Sequence, residues 1–339
     1  DRIGARIPAM IAAAAMGAAL LGMSRIEAVW QFLALHFVFG AVGHGALMGP
    51  LYANVGLWFR RNVGLAMGIA TAGGAIGQGT VPAVARWLID SHGWDGAYAV
   101  LGFGYLAFAF PLAVLIRRPP TGDGGTGSRA PVLADGSAFP VPPAATVAWI
   151  STAAVFCCAC MAVPLVHLVP MLSDRGMPPE SAVTVLLVLM LAGGVGRLLG
   201  GKLADRIGAL RAYMTASLGQ TVLAMAFPFA VGPAEIYALA IAFGLFFSGV
   251  MSTFLICLRM MLPPAVMARA MSTALAFAWV GMGVGGWQGG VLFDATGDYF
   301  LSFAIAGLCG MTNLTVLGAF AMRIRNARAA ADYAAAPAA

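Results

Sequence analysis

The chain has 339 residues, of which 61% are hydrophobic and 9% are charged, and its mean hydropathy is +0.89. This composition excludes an ordinary soluble domain, in which about a quarter of the residues are charged. The formal net charge of +6 does not indicate nucleic-acid binding, because the basic residues lie in short segments between apolar runs, where membrane topology explains them.

Only helices and closed barrels can cross a bilayer, and the apolar runs lack the alternation of barrel strands. Runs of about twenty residues therefore predict an all-α integral membrane protein with about ten transmembrane helices. In chain order the runs are 7–23, 28–59, 64–89, 98–116, 145–172, 181–200, 213–231, 236–258, 270–293 and 300–322.

A stretch rich in Gly, Pro and Ser predicts a flexible linker over 119–144, and the Ala-rich segment 323–339 predicts a frayed cytoplasmic tail. Basic residues concentrate on one side of the predicted helices and acidic residues on the other. By the positive-inside rule, the linker and C-terminus are expected in the cytoplasm. With the Ala- and Gly-rich composition, this predicts a multi-pass protein of a bacterial inner (plasma) membrane.

The chain contains an internal repeat. The opening Asp-Arg-Ile-Gly-Ala recurs at 205–209, an offset of 204 residues, and the same offset carries Gly93 onto Gly297. An even number of predicted spans separates the copies, so they run parallel. We therefore expect residues 1–118 to be the remnant of an N-terminal bundle whose first two helices are missing, and 145–322 to be a six-helix C-terminal bundle. Such a fragment is not expected to transport alone.

The repeated segment resembles the loop signature of the major facilitator superfamily. The second copy matches it at Gly201, Leu203, Ala204, Asp205, Arg206, Gly208 and Arg211, and the first at Asp1, Arg2, Gly4 and Arg6. The resemblance implies a two-bundle fold of six plus six helices and secondary transport. It also implies a cytoplasmic latch that favours the outward-open state, made here by Asp1, Arg2, Gly4, Gly201, Asp205, Arg206 and Gly208. The alternative is a glycine turn whose charges only set topology.

A narrower resemblance is to the monocarboxylate and oxalate/formate transporters. It rests on residues 58–70, which read Trp-Phe-Arg-Arg-Asn-Val-Gly-Leu-Ala-Met-Gly-Ile-Ala, and on the following Gly93-Trp94. Those relatives bind substrate carboxylate with an arginine in span eight, the position of Arg197. The chain departs from the oxalate-type relatives in having no lysine in span eleven.

Two residues are candidates for substrate binding. Arg197 lies inside an apolar run, where a charge is costly unless it faces a wet cavity, finds a partner or snorkels to the headgroups. His44 lies near mid-membrane, where it binds substrate, carries a proton, or serves as a neutral hydrogen-bonded imidazole.

Six glycines occur at a spacing that allows close helix approach: Gly64, Gly68, Gly73, Gly77, Gly281 and Gly285. The cluster Cys157, Cys158 and Cys160 fits no common zinc spacing, and helix packing is its better interpretation.

These patterns predict a secondary active transporter that moves a small monocarboxylate-like anion by alternating access, coupled to protons or by exchange. No enzyme motif or nucleotide-binding loop is present, so neither catalysis, nor a cofactor or metal, nor ATP is expected. The expected partners are the anion, protons and the lipid bilayer, with the protein as a monomer. The alternatives are an efflux pump for hydrophobic compounds and a transporter-like sensor that does not transport.

Overall fold

The computed structural model describes residues 4–59, 61–119 and 139–335, without the side chains of Ala46 and 331–335. Most of the predicted linker lies outside these residues, as do Asp1 and Arg2. The described residues form helices and no strands, which confirms the all-α fold class. The helices are α1 (Arg6–Met23), α2 (Val29–Phe37), a π-helix (Val38–Gly45), α3 (Ala46–Trp58), α4 (Val63–Val114), α5 (Pro143–Asp174), α6 (Pro179–Ile207), α7 (Ala209–Ala226), α8 (Pro233–Met261), α9 (Met267–Thr296) and α10 (Phe300–Ala335).

Among the described residues, eight segments are long and apolar enough to cross a membrane. One of them, α4, has 52 residues and contains a non-helical Gly93, at φ 75° and ψ 171°. At 1.5 Å per residue α4 exceeds twice the thickness of the hydrocarbon core, so it supplies two spans. The 18-residue α7 carries Arg211 and Gln220 and is not among these eight segments. Counting α7 and both parts of α4, the described chain has the ten spans that the runs predict.

The helices follow the repeat found in the sequence. α4 begins at Val63 and α9 at Met267, which are 267 − 63 = 204 residues apart. Positive φ angles occur at both members of two glycine pairs with this offset: Gly4 (70°) with Gly208 (89°), and Gly93 (75°) with Gly297 (73°). A positive φ is uncommon outside glycine, so both copies of the repeat use glycine at these positions, although ψ is 171° at Gly93 and 6° at Gly297.

Two elements differ from the predicted runs. The run 28–59 is interrupted by the π-helix, whereas the corresponding α8 is a regular α-helix. In addition, α6 does not end near Gly200, because its helix continues through Lys202 to Ile207 and stops at Gly208. Residues 201–207, which lie between the predicted runs 181–200 and 213–231, are therefore the last two turns of a helix.

We refer to helices α1 to α4 as the first half of the described chain and to helices α5 to α10 as the second half. The second half has a core of packed aromatic rings, among them Phe227, Phe243, Phe247 and Phe303. The halves meet where α4 packs on α6 and α3 packs on α9. Helices α3, α6 and α8 end, and helices α4 and α9 begin, at the same end of the bundle. We call this end the arginine-rich end. It carries Arg61, Lys202, Arg206, Arg259 and Arg269.

Candidate functional site

Asp205 joins the two halves at the arginine-rich end. Its carboxylate accepts hydrogen bonds from the backbone N–H groups of Gly64, at 2.8 Å, and Leu65, at 2.9 Å. These groups lie in the first turn of α4, where N–H groups have no partner within the helix and the helix dipole favours a negative charge. A side chain of the second half therefore caps a helix of the first.

The cap depends on a close approach of the helices. A β-carbon on Gly64 would collide with the carbonyl oxygen of Gly201, and one on Gly201 with that of Gly64. One turn further, a β-carbon on Gly68 would meet the backbone of Arg197. Only glycine allows α4 and α6 to approach so closely here, and this proximity brings Asp205 within reach of α4.

The other residues of the predicted latch have separate positions. Gly208, at φ 89°, ends α6, and its N–H donates to the carbonyl of Ala204 at 3.0 Å. Arg206 is exposed and forms no hydrogen bond or ion pair with a described residue. Gly4 lies beside Arg118, the Nε of which would be 3.2 Å from a β-carbon on this glycine.

Arg197 lies deeper in the same interface. It precedes the end of α6 by ten residues, or about 15 Å, which is deeper than a helix ending near Gly200 would place it. The residue is 5% exposed, and its guanidinium donates to the carbonyl oxygen of Thr71 in α4. Because the side chain contacts the facing half, it does not snorkel to the arginine-rich end.

The Arg197 guanidinium has no described carboxylate partner. Its Nε is buried without a hydrogen bond, and the phenol of Tyr52 lies within electrostatic range. The one ion pair among the described side chains joins Arg86 to Asp90 at 3.0 Å, with both side chains exposed near the opposite end of the bundle. A buried guanidinium with a free N–H can accept an anion between the halves.

His44 lies in the π-helix, half-buried, and its ring contacts Trp279 of α9. The ring centroids are 5.0 Å apart and the rings are nearly perpendicular. π-Helical turns frequently occur at functional sites. The structure thus places His44 between the halves, on the α3–α9 side of the interface, with Arg197 on the α4–α6 side.

Sequence reasoning missed a further contact between the halves. The Nε of Arg259, near the end of α8, donates to the carbonyl oxygen of Gly56 in α3 at 2.7 Å. Arg259 belongs to the basic residues that set the predicted topology, and nothing in its sequence position distinguishes it from its neighbours. Only the three-dimensional contact identifies Arg259 as a residue that joins the halves.

The six predicted packing glycines divide into two groups. Gly281 and Gly285 of α9 lie against the backbone of α5, and Gly64 and Gly68 lie against α6. In contrast, no atom lies within 4 Å of the position that a β-carbon would take on Gly73 or Gly77. These two glycines make no helix contact in this conformation, which differs from the predicted packing.

Comparison with known proteins places this geometry in a family. The sequence model of the Major Facilitator Superfamily matches residues 1–286. Human monocarboxylate transporter 10 is 25% identical over 325 residues, covering 91% of this chain and 62% of the relative. Bovine monocarboxylate transporter 13 is 29% identical over 269 residues, covering 76% of this chain and 60% of the relative. The chain thus spans about three fifths of the length of these relatives.

Solved structures share the fold at low sequence identity. The human organic anion transporter MFSD10 superposes with a TM-score of 0.71 at 13% identity, over 93% of this chain and 77% of that protein. The E. coli fucose:proton symporter FucP gives a TM-score of 0.69 at 15% identity, over 92% and 82%. With the matched residues covering most of its length, the chain belongs to the Major Facilitator Superfamily of membrane transporters.

Proposed function

We propose that this protein moves a small organic anion, of the monocarboxylate class, across the membrane by alternating access. The observation that carries the proposal is the buried Arg197 guanidinium, which faces the other half without a described carboxylate partner. A guanidinium presents parallel N–H donors that match the two oxygens of a carboxylate. The similarity to monocarboxylate transporters supports the same class of substrate.

The contact of Arg197 with Thr71 supplies a physical link between binding and movement. A carboxylate bound through the two terminal nitrogens, Nη1 and Nη2, takes the N–H that now donates to a carbonyl oxygen of α4. Anion binding in this orientation therefore competes with a contact that holds the halves together. A ligand that interacts differently with two conformations shifts the balance between them.

The contacts between the halves support an assignment of the conformation. Asp205 and Arg259 hold the halves together at the arginine-rich end. We assign the arginine-rich end to the cytoplasm, as the positive-inside rule predicts, and the conformation to the outward-open state. Asp205 then acts as the cytoplasmic latch, and His44 as a second binding residue that contacts the anion or its coupled proton.

Binding of labelled lactate, formate and oxalate to the purified chain tests the proposal. We expect Arg197→Ala to weaken binding of the recognised anion about 10- to 100-fold, the range for a lost charge-assisted hydrogen bond. Arg197→Lys keeps the charge but loses the paired donors, so its affinity for the anion should lie between those of the wild type and Arg197→Ala. Arg86→Ala is the matched control, because this arginine is also inside a helix but pairs with exposed Asp90.

Three results would contradict the proposal. Unchanged anion binding in Arg197→Ala would remove this residue from the site. Binding of hydrophobic compounds by a protein that binds none of the three anions would instead support an efflux pump, and binding of neither class would support a transporter-like sensor.

A further inference from the structure

A groove runs along the outer surface of the second half, between α6, α7 and α8. It encloses about 320 Å³ and begins at the arginine-rich end. Lys202 and Arg206 lie at its mouth, both exposed, and Leu199, Leu245 and Phe246 line its deeper part. The groove lies on the face of α6 turned away from α4, so it is separate from the Arg197 site.

No side chain fills the floor of the groove, because glycines form it where α6 and α8 approach closely. A β-carbon on Gly200 would lie 2.8 Å from the Cα of Gly249, and one on Gly196 would collide with the carbonyl of Leu245. Glycines bring the backbones together and leave no side chain to fill the furrow above them. The result is an apolar channel parallel to the helices.

The two cations at the mouth have no described counter-ion. Lys202 and Arg206 are four residues apart on one helical face, so their charges repel each other. The nearest acid in sequence, Asp205, is already engaged with the N–H groups of Gly64 and Leu65. Neither cation forms an ion pair with a described residue, so the mouth is a site of uncompensated positive charge.

The order of polar and apolar surface matches one type of ligand. The cations occupy the last two turns of α6, at the depth of the headgroups, and the apolar wall extends about 15 Å deeper, from Arg206 to Gly196. Basic pockets between transmembrane helices bind anionic headgroups, and an acyl chain suits the apolar part. We propose that this groove binds one anionic phospholipid, with its phosphate on Lys202 and Arg206 and one chain along α6 and α8.

Native mass spectrometry of the purified full chain, titrated with phosphatidylglycerol and phosphatidylcholine, tests the proposal. We expect preferential binding of one phosphatidylglycerol. Because each basic residue near an anionic headgroup contributes roughly fivefold in affinity, the double variant Lys202→Gln/Arg206→Gln should bind it about 30-fold more weakly. The matched control is Arg323→Gln/Arg325→Gln, which removes two exposed charges from α10 at the same end of the bundle.

A second variant tests the apolar part of the groove. Thr215→Trp places a large ring at an exposed position of the α7 wall and retains both cations. We expect it to reduce phosphatidylglycerol binding and to leave the affinity for glycerol 3-phosphate unchanged and weak.

Three results would overturn the lipid site. The first is equal phosphatidylglycerol affinity in the wild type and the Lys202/Arg206 double variant. The second is an equal loss of phosphatidylglycerol affinity in the α10 control, which would indicate that the lipid responds to the overall positive charge of this end and not to the groove. The third is glycerol 3-phosphate binding as tightly as the lipid, which would assign the mouth to a free anion.

Discussion

Three charged side chains of the second half form hydrogen bonds with backbone atoms of the first half. They are Asp205, Arg197 and Arg259. The carboxylate of Asp205 binds N–H groups, and the two guanidinium groups bind carbonyl oxygens. Charged groups form stronger hydrogen bonds than neutral ones, and the effect is larger away from water. The interface is therefore held by a few directed contacts that one conformational change can release together.

Replacing Asp205 with Asn tests the contact at the residue scale. The variant retains one oxygen but loses the charge that faces the first turn of α4, a change worth about 1–2 kcal/mol. We expect the arginine-rich end to open in a larger fraction of molecules. Spin labels at exposed Arg61→Cys and Arg211→Cys should report a larger population at long distance.

Asp294→Asn provides the control for Asp205. This carboxylate is exposed at the opposite end of α9 and forms no hydrogen bond with a described residue. Its removal should leave the distance distribution unchanged, and an unchanged distribution in Asp205→Asn would rule out a latch.

At the scale of elements, α4 shows that one glycine spacing can have two outcomes. Gly64 and Gly68 lie against α6, whereas Gly73 and Gly77, on the same helix, face open space. The sequence predicts equal roles because the spacing is the same. What separates them is the position of α6, which spacing within one helix does not encode.

Alanine substitutions should separate these glycines. Gly64→Ala places a methyl group against the carbonyl of Gly201 and should destabilise the protein by about 1–3 kcal/mol, the usual effect of overpacking. Gly73→Ala meets no atom and should stabilise α4 by about 0.5–1 kcal/mol through helix propensity. Thermal unfolding of the two variants should therefore shift in opposite directions, and shifts of the same sign would contradict the close approach at Gly64.

The bounds of a helix were predictable from the sequence where neighbouring residues determine them. The run 7–23 agrees with α1, and the repeat offset relates the starts of α4 and α9, because a break in an apolar run and a glycine turn are both local signals. The π-helix was not predictable, since nothing in the apolar run 28–59 marks a change in backbone hydrogen bonding. The end of α6 was misplaced because the polar Lys202 resembles a loop residue in sequence.

At the scale of the whole molecule, the interface between the halves has two parallel lines of contact. α4 packs on α6, and α3 packs on α9, where Gly49 meets Ser272 and His44 meets Trp279. The sequence identified Arg197 and His44 as candidates because charged or titratable groups within an apolar run require a reason, and it identified Asp205 because this residue lies in the repeated loop signature. Their partners, Thr71, Trp279 and the start of α4, required the relative position of the halves, which composition and spacing do not determine.

A disulfide between the halves tests whether they move. A β-carbon on Gly49 would lie 2.8 Å from the Cβ of Ser272, so a small shift allows disulfide geometry in Gly49→Cys/Ser272→Cys. If the halves rock, oxidation should hold the arginine-rich end closed and slow amide hydrogen exchange at the starts of α4 and α9, and reduction should restore this exchange. Each single cysteine variant is a control, and amide exchange that is not slowed in the fully oxidised double variant would exclude rocking at this contact.

The hydrogen bonds between side chains of the second half and backbone atoms of the first half also determine which residues at the interface can be substituted. Any residue except proline offers the N–H and carbonyl groups that Asp205, Arg197 and Arg259 use in the first half. Leu65 and Thr71 can therefore be replaced without removing these hydrogen bonds, while their partners in the second half cannot. At these two positions the interface can thus accept a change of side chain on one side without a compensating change on the other, whereas Gly64 cannot, because its backbone meets that of Gly201.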